Sequence, residues 1–146
     1  MNNIQLARDL VYQHLGQAWS VTTNNSMTTL GICRHNSKSI GLSTHLLDNN
    51  GWEVVKQTVV HEIAHALVGY HAHHNSIWRA KCIALGGDGK TCSEASDARM
   101  PYPWLAECFF CSKATPLLSK PRTRVLVCRQ CRKPVSFRKG LFYDKE

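Results

Sequence analysis

The sequence predicts an α+β fold in which helices carry a small antiparallel sheet, followed by a small basic module organised around cysteines. Three observations carry this prediction. A long apolar run, Trp52 to Val68, has strand-like segments before it and a second helical pattern after it, at residues 77–85. Two Cys-x-x-Cys pairs, Cys108/Cys111 and Cys128/Cys131, lie near the C-terminus with sixteen residues between them. Charge is segregated: residues 1–100 hold eight Lys+Arg against seven Asp+Glu, a net of +1. Residues 101–146 hold ten against three, a net of +7, which together give the +8 of the whole chain. The predicted domains are therefore 1–100 and 101–146, with the boundary near Met100. At 146 residues, 43% of them hydrophobic, the chain has room for one modest core and a small appendage.

The elements follow in order. Residues 4–16 place Ile4, Ala7, Leu10, Val11, His14 and Leu15 on one side of an amphipathic helix that stops at Gly16. Residues 19–23, 29–34 and 37–43 read as three short strands, with Asn24-Asn25 and His35-Asn36 as the turns between them. A short helical connection, residues 44–50, and an Asn50-Gly51 turn lead into the run from Trp52 to Val68. That run is too long and too apolar for a solvated strand and reads as a buried helix ended by Gly69. Asn75 and Ser76 are good N-caps for the next helix, which closes at Gly86-Gly87. Residues 88–103 have the composition of a linker.

The long helix carries His61-Glu62-Ile63-Ala64-His65. Residues four apart on a helix are separated by only about 40° around the axis and about 6 Å along it, so both imidazoles can reach one ion. Glu62 points to one side, where it can hold a water at the open position of a zinc ion and take its proton. A charged and polar triplet inside a core helix is costly unless a metal or a partner satisfies it. This pattern implies a metal-dependent hydrolase. A third protein ligand is needed, and His71, His73, His74 and the more distant Glu94 are the candidates. His74 is favoured because it falls where the next helix begins, with His71 as the alternative. The histidines left over are expected to face solvent, and Tyr70 is expected to serve packing.

The odd count of seven cysteines and the two Cys-x-x-Cys pairs point to metal in a reducing, intracellular compartment rather than to disulfides. The spacing suits a four-thiolate zinc ribbon built by Cys108, Cys111, Cys128 and Cys131. Two zinc ions are thus expected, one catalytic and one structural. Cys33, Cys82 and Cys92 read as small buried residues. Zinc on four thiolates contributes −2, which leaves the tail near +5 and still basic. Its cations Lys113, Lys120, Arg122, Arg124, Arg129, Arg132, Lys133, Arg138 and Lys139 interleave with Phe109, Phe110, Phe137, Phe142 and Tyr143. Cations among aromatics suit single-stranded nucleic acid. No basic segment leads into a long apolar run at the N-terminus and no stretch is long enough to span a membrane, so a soluble, cytoplasmic or nucleoid-associated monomer is expected.

Taken together, the chain resembles the SprT-like metalloproteases, the family of Spartan and the bacterial SprT proteins. The resemblance rests on the opening helix, Trp19 before a short sheet, Leu30-Gly31-Ile32-Cys33, Ile40-Gly41-Leu42-Ser43, the motif from His61 to His65, His74 with Trp78 four residues on, and the paired Cys-x-x-Cys. It implies a minimal zincin-like metalloprotease domain with a C-terminal zinc ribbon, His61, His65 and His74 as zinc ligands, Glu62 as catalytic base, and proteolysis of proteins on or near DNA. The family often has glycine directly after its third histidine. Here Asn75 stands there, a residue that tolerates the left-handed conformation. Residues 37–43 are expected to offer an edge strand to an extended substrate. The competing readings are a peptidase acting without DNA, similar to the ImmA/IrrE type, and a non-catalytic DNA-binding adaptor.

Overall fold

The computed structural model describes residues 2–91, 98–120, 122 and 126–143. Cys92, Glu94 and Arg124 lie outside the described residues. The chain divides into two compact units, Met1–Arg99 and Met100–Glu146.

In the first unit α1 (Asn3–Leu15) starts where the Asn2 side chain accepts the Gln5 N–H at 3.0 Å, and it buries Ala7 and Val11. Three strands follow, β1 (Ser20–Asn24), β2 (Gly31–Arg34) and β3 (Ser39–Ser43), then the short α2 (Thr44–Asn49). The long α3 (Trp52–Val68) ends at Gly69, whose φ of 94° is a conformation that side-chain-bearing residues avoid. A single 3-10 turn, Tyr70–Ala72, leads to α4 (Ser76–Ala84), where the Asn75 side chain caps the Trp78 N–H at 3.0 Å. The core gathers around α3: Val55, Val59, Val60, Ile63 and Ala64 are fully buried with Ile40 and Leu42 of β3, Leu46 of α2 and Trp78 and Cys82 of α4. No helix among the described residues is long and apolar enough to cross a membrane.

The fold is α+β as expected, but the first sheet is mixed rather than antiparallel. Its order is β1-β3-β2, with β1 parallel to β3 and β2 antiparallel to β3. The reason is burial. Ile40 and Leu42 make β3 the most apolar of the three strands, and all five of its residues are buried, so it takes the centre and the two more polar strands take the edges. Residues 37–43 are therefore not an edge strand. The open edges belong to β1 and β2.

The second unit contains β4 (Tyr102–Glu107), β5 (Ala114–Leu117) and β6 (Ser136–Phe142) in the order β5-β4-β6, both pairs antiparallel. Strand β4 begins inside the segment expected to be a linker. Pro103 is accommodated because the β4/β6 register shifts between Tyr102 and Trp104, and a proline at an irregularity withholds no ladder hydrogen bond.

Candidate metal centre

Helix α3 presents His61 and His65 one turn apart, and the chain returns through the 3-10 turn to bring His74 beside them. The three Nε2 atoms form a near-equilateral triangle: 3.2 Å between His61 and His65, and 3.1 Å from His74 to each. Nitrogens sharing one tetrahedral zinc at ordinary Zn–N lengths lie about 3.3 Å apart, so the donor set fits a zinc ion. The three form a group able to hold a metal. His71 and His73 are exposed and lie outside it.

The turn that delivers His74 is not the one expected. Asn75 has an ordinary φ of −74° and serves as the N-cap of α4. The left-handed residue is His73, with φ 47°, a conformation that costs a non-glycine residue about 1 kcal/mol or more. It is stored directly beside the cluster.

One buried indole backs all three imidazoles. Trp78 stacks on His65 with centroids 5.2 Å apart and planes at 27°, and meets His61 and His74 edge-on at 4.6 and 4.7 Å. Its Nε1–H donates to the His61 carbonyl at 3.2 Å, fixing α4 against α3. Burial and the neighbouring imidazoles push His61 and His65 down to about 4, which keeps both neutral and available as ligands at neutral pH. The Lys90 backbone, by contrast, favours the charged form of His61.

Glu62 lies one residue round the helix, 5% exposed, with Oε1 4.0 Å from His61 Nε2. Burial pushes its carboxyl up to about 7, while the backbone N–H of Cys33 on β2 donates to it and opposes the shift. With His61 lowered and Glu62 raised, the contact is a matter of placement rather than an ion pair. Strand β2 closes on Glu62 through Gly31: a Cβ there would lie 2.8 Å from Thr58 Cγ2 and 3.2 Å from Glu62 Cγ. A Cβ there would force the Thr58 side chain or the strand to shift.

Cys33 is half-buried, not an inert core residue, and its thiol lies 3.7 Å from His35 Nε2. Burial first, then the charge of Glu62, pushes that thiol up to about 12. Cys82 is buried as expected. Tyr70 is 68% exposed, so the expectation that it serves packing is corrected; among the described residues its ring meets the rings of His35 and His71 in T-shaped contacts and that of His73 at a tilt. It follows the break at Gly69, beyond the apolar face of α3.

In the second unit Cys108, Cys111, Cys128 and Cys131 converge into another group able to hold a metal. Cys111 and Cys128 Sγ are 3.7 Å apart, close to the roughly 3.8 Å edge of a tetrahedral zinc-thiolate site. The two halves repeat one backbone device. Cys108 N–H donates to the Lys113 carbonyl and Cys128 N–H to the Lys133 carbonyl, and Ser112 and Arg132, each following the second cysteine of its pair, both have φ 58°. Backbone N–H groups of Cys131 and Gln130 push the Cys128 thiol down to about 7, whereas the surrounding thiols push Cys131 up to about 12. Lys113, Arg122, Arg129, Arg132, Lys133, Arg138 and Lys139 are all exposed. Phe109 and Phe110 are 76% and 69% exposed, while Phe137, Phe142 and Tyr143 are partly buried.

Trp78, Gly31 and the Cys33 amide were not identified as parts of the site from sequence. Trp78, four residues after His74, and Gly31 left a trace there as motif positions. The third is a backbone group with no residue-type signal.

A model of the SprT-like family matches residues 2–96. No curated protein and no solved structure matches the chain.

Proposed function

The chain belongs to the SprT-like family, and on that premise we propose that it is a zinc-dependent endopeptidase of zincin-like architecture that cleaves proteins bound or crosslinked to DNA, with the basic ribbon helping to hold the DNA. The observation that carries this reading is Glu62, a buried carboxylate set beside three converging histidine nitrogens. His61, His65 and His74 would hold the catalytic zinc, and the four cysteines the structural one. Bound zinc supplies Lewis acidity to the scissile carbonyl and acidifies water.

The chain's own groups divide the remaining work. Glu62 removes a proton from water as its oxygen adds to the carbonyl carbon. When the C–N bond breaks, Glu62 returns that proton to the leaving nitrogen. Burial of Glu62 between α3 and β2 keeps its carboxylate in place for both halves. The edge available to an extended substrate is β2, not β3. Leu30 accepts from Ser43 N–H, so by the alternation of an antiparallel ladder the Gly31 N–H and carbonyl and the Cys33 carbonyl turn away from β3. Pairing through backbone there reads little side-chain sequence and would suit broad specificity.

For the DNA, the exposed Phe109 and Phe110 at the tip of one cysteine pair offer stacking faces, and the cations around them offer phosphate contacts. Thiols reserved for zinc suit a reducing, intracellular compartment. The test incubates zinc-loaded protein with a basic DNA-binding protein, with and without single-stranded DNA, for the full chain and for a chain lacking residues 101–146. Cleavage that requires DNA and weakens without the ribbon supports the reading. Cleavage indifferent to DNA selects a regulatory peptidase, and DNA binding without cleavage selects an adaptor.

A further inference from the structure

The chain between the second and third metal-binding histidines passes through three linked turns. Gly69 N–H donates to the His65 carbonyl at 3.1 Å, Ala72 N–H to the Gly69 carbonyl at 3.3 Å, and Asn75 N–H to the Ala72 carbonyl at 3.1 Å. The last of these bonds closes residues 72–75 into a β-turn. His73, its first corner, has φ 47° and ψ −132°, close to the values of about 60° and −120° that mark the first corner of a type II′ turn. His74 is the second corner. Such a turn ordinarily has glycine at its first corner, where a Cβ is strained, yet this chain has a histidine there. Burial does not hold the strained shape, because every residue from Tyr70 to Ile77 is exposed except the partly buried Ala72. The turn is held instead through His74, whose ring lies edge-on to buried Trp78 at 4.7 Å and whose Nε2 is 3.1 Å from those of His61 and His65.

We propose that His73 is a positioning residue of the metal centre: as the strained first corner of the 72–75 turn it aims His74 at the ion shared with His61 and His65, and metal binding at His74 keeps that corner closed. The inference rests on the reading of the histidine cluster as a zinc site. Backbone strain persists only where the surroundings over-determine it, and at this exposed turn the shared ion supplies the strongest of those interactions. Part of the free energy of metal binding therefore goes into holding residue 73 in its corner. It follows that the backbone at residue 73, not its imidazole, sets how tightly the third ligand is held. Affinity should then track what is attached at Cα. Glycine removes the strain, alanine keeps the Cβ and with it the strain, and valine adds a branch that makes a positive φ a severe outlier.

The experiment uses the full chain with the ribbon already zinc-loaded and measures zinc affinity of the histidine site by competition with a chromophoric chelator. Cobalt absorption at the same site reports ligand geometry, and melting of metal-free protein reports the fold. His73→Gly is expected to bind zinc about fivefold more tightly than wild type, the relief of strain outweighing the greater freedom of glycine in the open turn. His73→Ala should match wild type, and His73→Val should bind about tenfold more weakly. The glycine and alanine variants keep the wild-type cobalt spectrum, and metal-free melting moves little across the series because residue 73 is exposed and outside the core. A His73→Gly protein that binds zinc no more tightly than wild type overturns the proposal, whether or not its metal-free form melts higher. A His73→Ala protein that binds as weakly as His73→Val overturns it too, since the imidazole would then be what matters. A wild-type protein that takes no metal at the histidines overturns the zinc-site reading and this inference with it.

Discussion

Replacing Trp78 with phenylalanine should loosen the metal centre and the unit that carries it together. Trp78 is fully buried in a cluster with Val60, Ala64 and Cys82, so the smaller ring leaves a void of roughly 40 Å³, costing about 1 kcal/mol at the usual cavity coefficient. The hydrogen bond from Nε1–H to the His61 carbonyl is lost as well. That carbonyl still lies within α3 and retains its helical partner, so the loss falls at the low end for a buried group, about 1 kcal/mol. A total near 2 kcal/mol corresponds to a fall in Tm of about 10 °C for a unit of this size. The assay is thermal unfolding of metal-free protein followed by circular dichroism, with chelator competition for zinc on the same samples. Zinc affinity should fall too, because the three imidazoles lose the face they pack against. A matched core truncation, Val55→Ala, should lower Tm similarly and leave zinc affinity unchanged, as Val55 lies nearly two turns before His61 on α3. A Trp78→Phe protein with unaltered Tm, or one whose zinc affinity drops no more than that of Val55→Ala, refutes the reasoning.

Three further outcomes are expected. Metal-free protein should lose stability as pH falls from about 6.5 to 4.5. His61 and His65, lowered to about 4, bind fewer protons folded than unfolded in that window, so their stability is lost on acidification. Glu62, raised to about 7, binds more and acts in the opposite sense. Two histidines outweigh one carboxyl, with His65 discounted for its partial exposure, leaving a net loss of about 2 kcal/mol. Glu62→Gln should steepen the decline, and a shallower one would show the balance to be misjudged. Gly31→Ala should destabilise the first unit by about 1–3 kcal/mol and reduce cleavage, because its methyl drives into Thr58 and Glu62. Adding Thr58→Ser, which removes the nearer of the two obstructing carbons, should recover part of both, and no recovery would mean that the close approach is not the cause. In the ribbon, Phe109→Ala and Phe110→Ala should each weaken single-stranded DNA binding by about 1–3 kcal/mol, read by fluorescence anisotropy, while equal losses at the partly buried Phe137 would argue for a folding effect instead.

Much of the site was legible in the chain because helical periodicity is local. His61, Glu62 and His65 lie on one helix whose limits, Trp52 and Val68, follow from an apolar run and a glycine. The four cysteines were legible for the same reason, each pair being its own short device. What was hidden depends on which segments meet in space. Strand alternation marks Ile40 and Leu42 as buried but does not say that β3 pairs with both neighbours, so the parallel partnership with β1 and the open edge of β2 were out of reach. His74 was favoured over His71 from the start of the next helix, but the turn that brings it to His61 and His65 passes through a left-handed residue at His73, a conformation histidine seldom adopts and no local pattern announces. The Cys33 amide is a backbone group that any residue would supply, so only the fold could assign it to Glu62.

The comparison of wild-type protein with Glu62→Gln, each carrying two zinc ions per chain, bears on everything proposed for the site. Cleavage of a DNA-bound protein substrate is measured at neutral pH, with metal content and melting checked on the same preparations. A neutral amide keeps the shape of Glu62 and cannot take up a proton, so cleavage should fall by about 100-fold or more while zinc content is unchanged. Cleavage within tenfold of wild type by fully zinc-loaded Glu62→Gln would contradict the account.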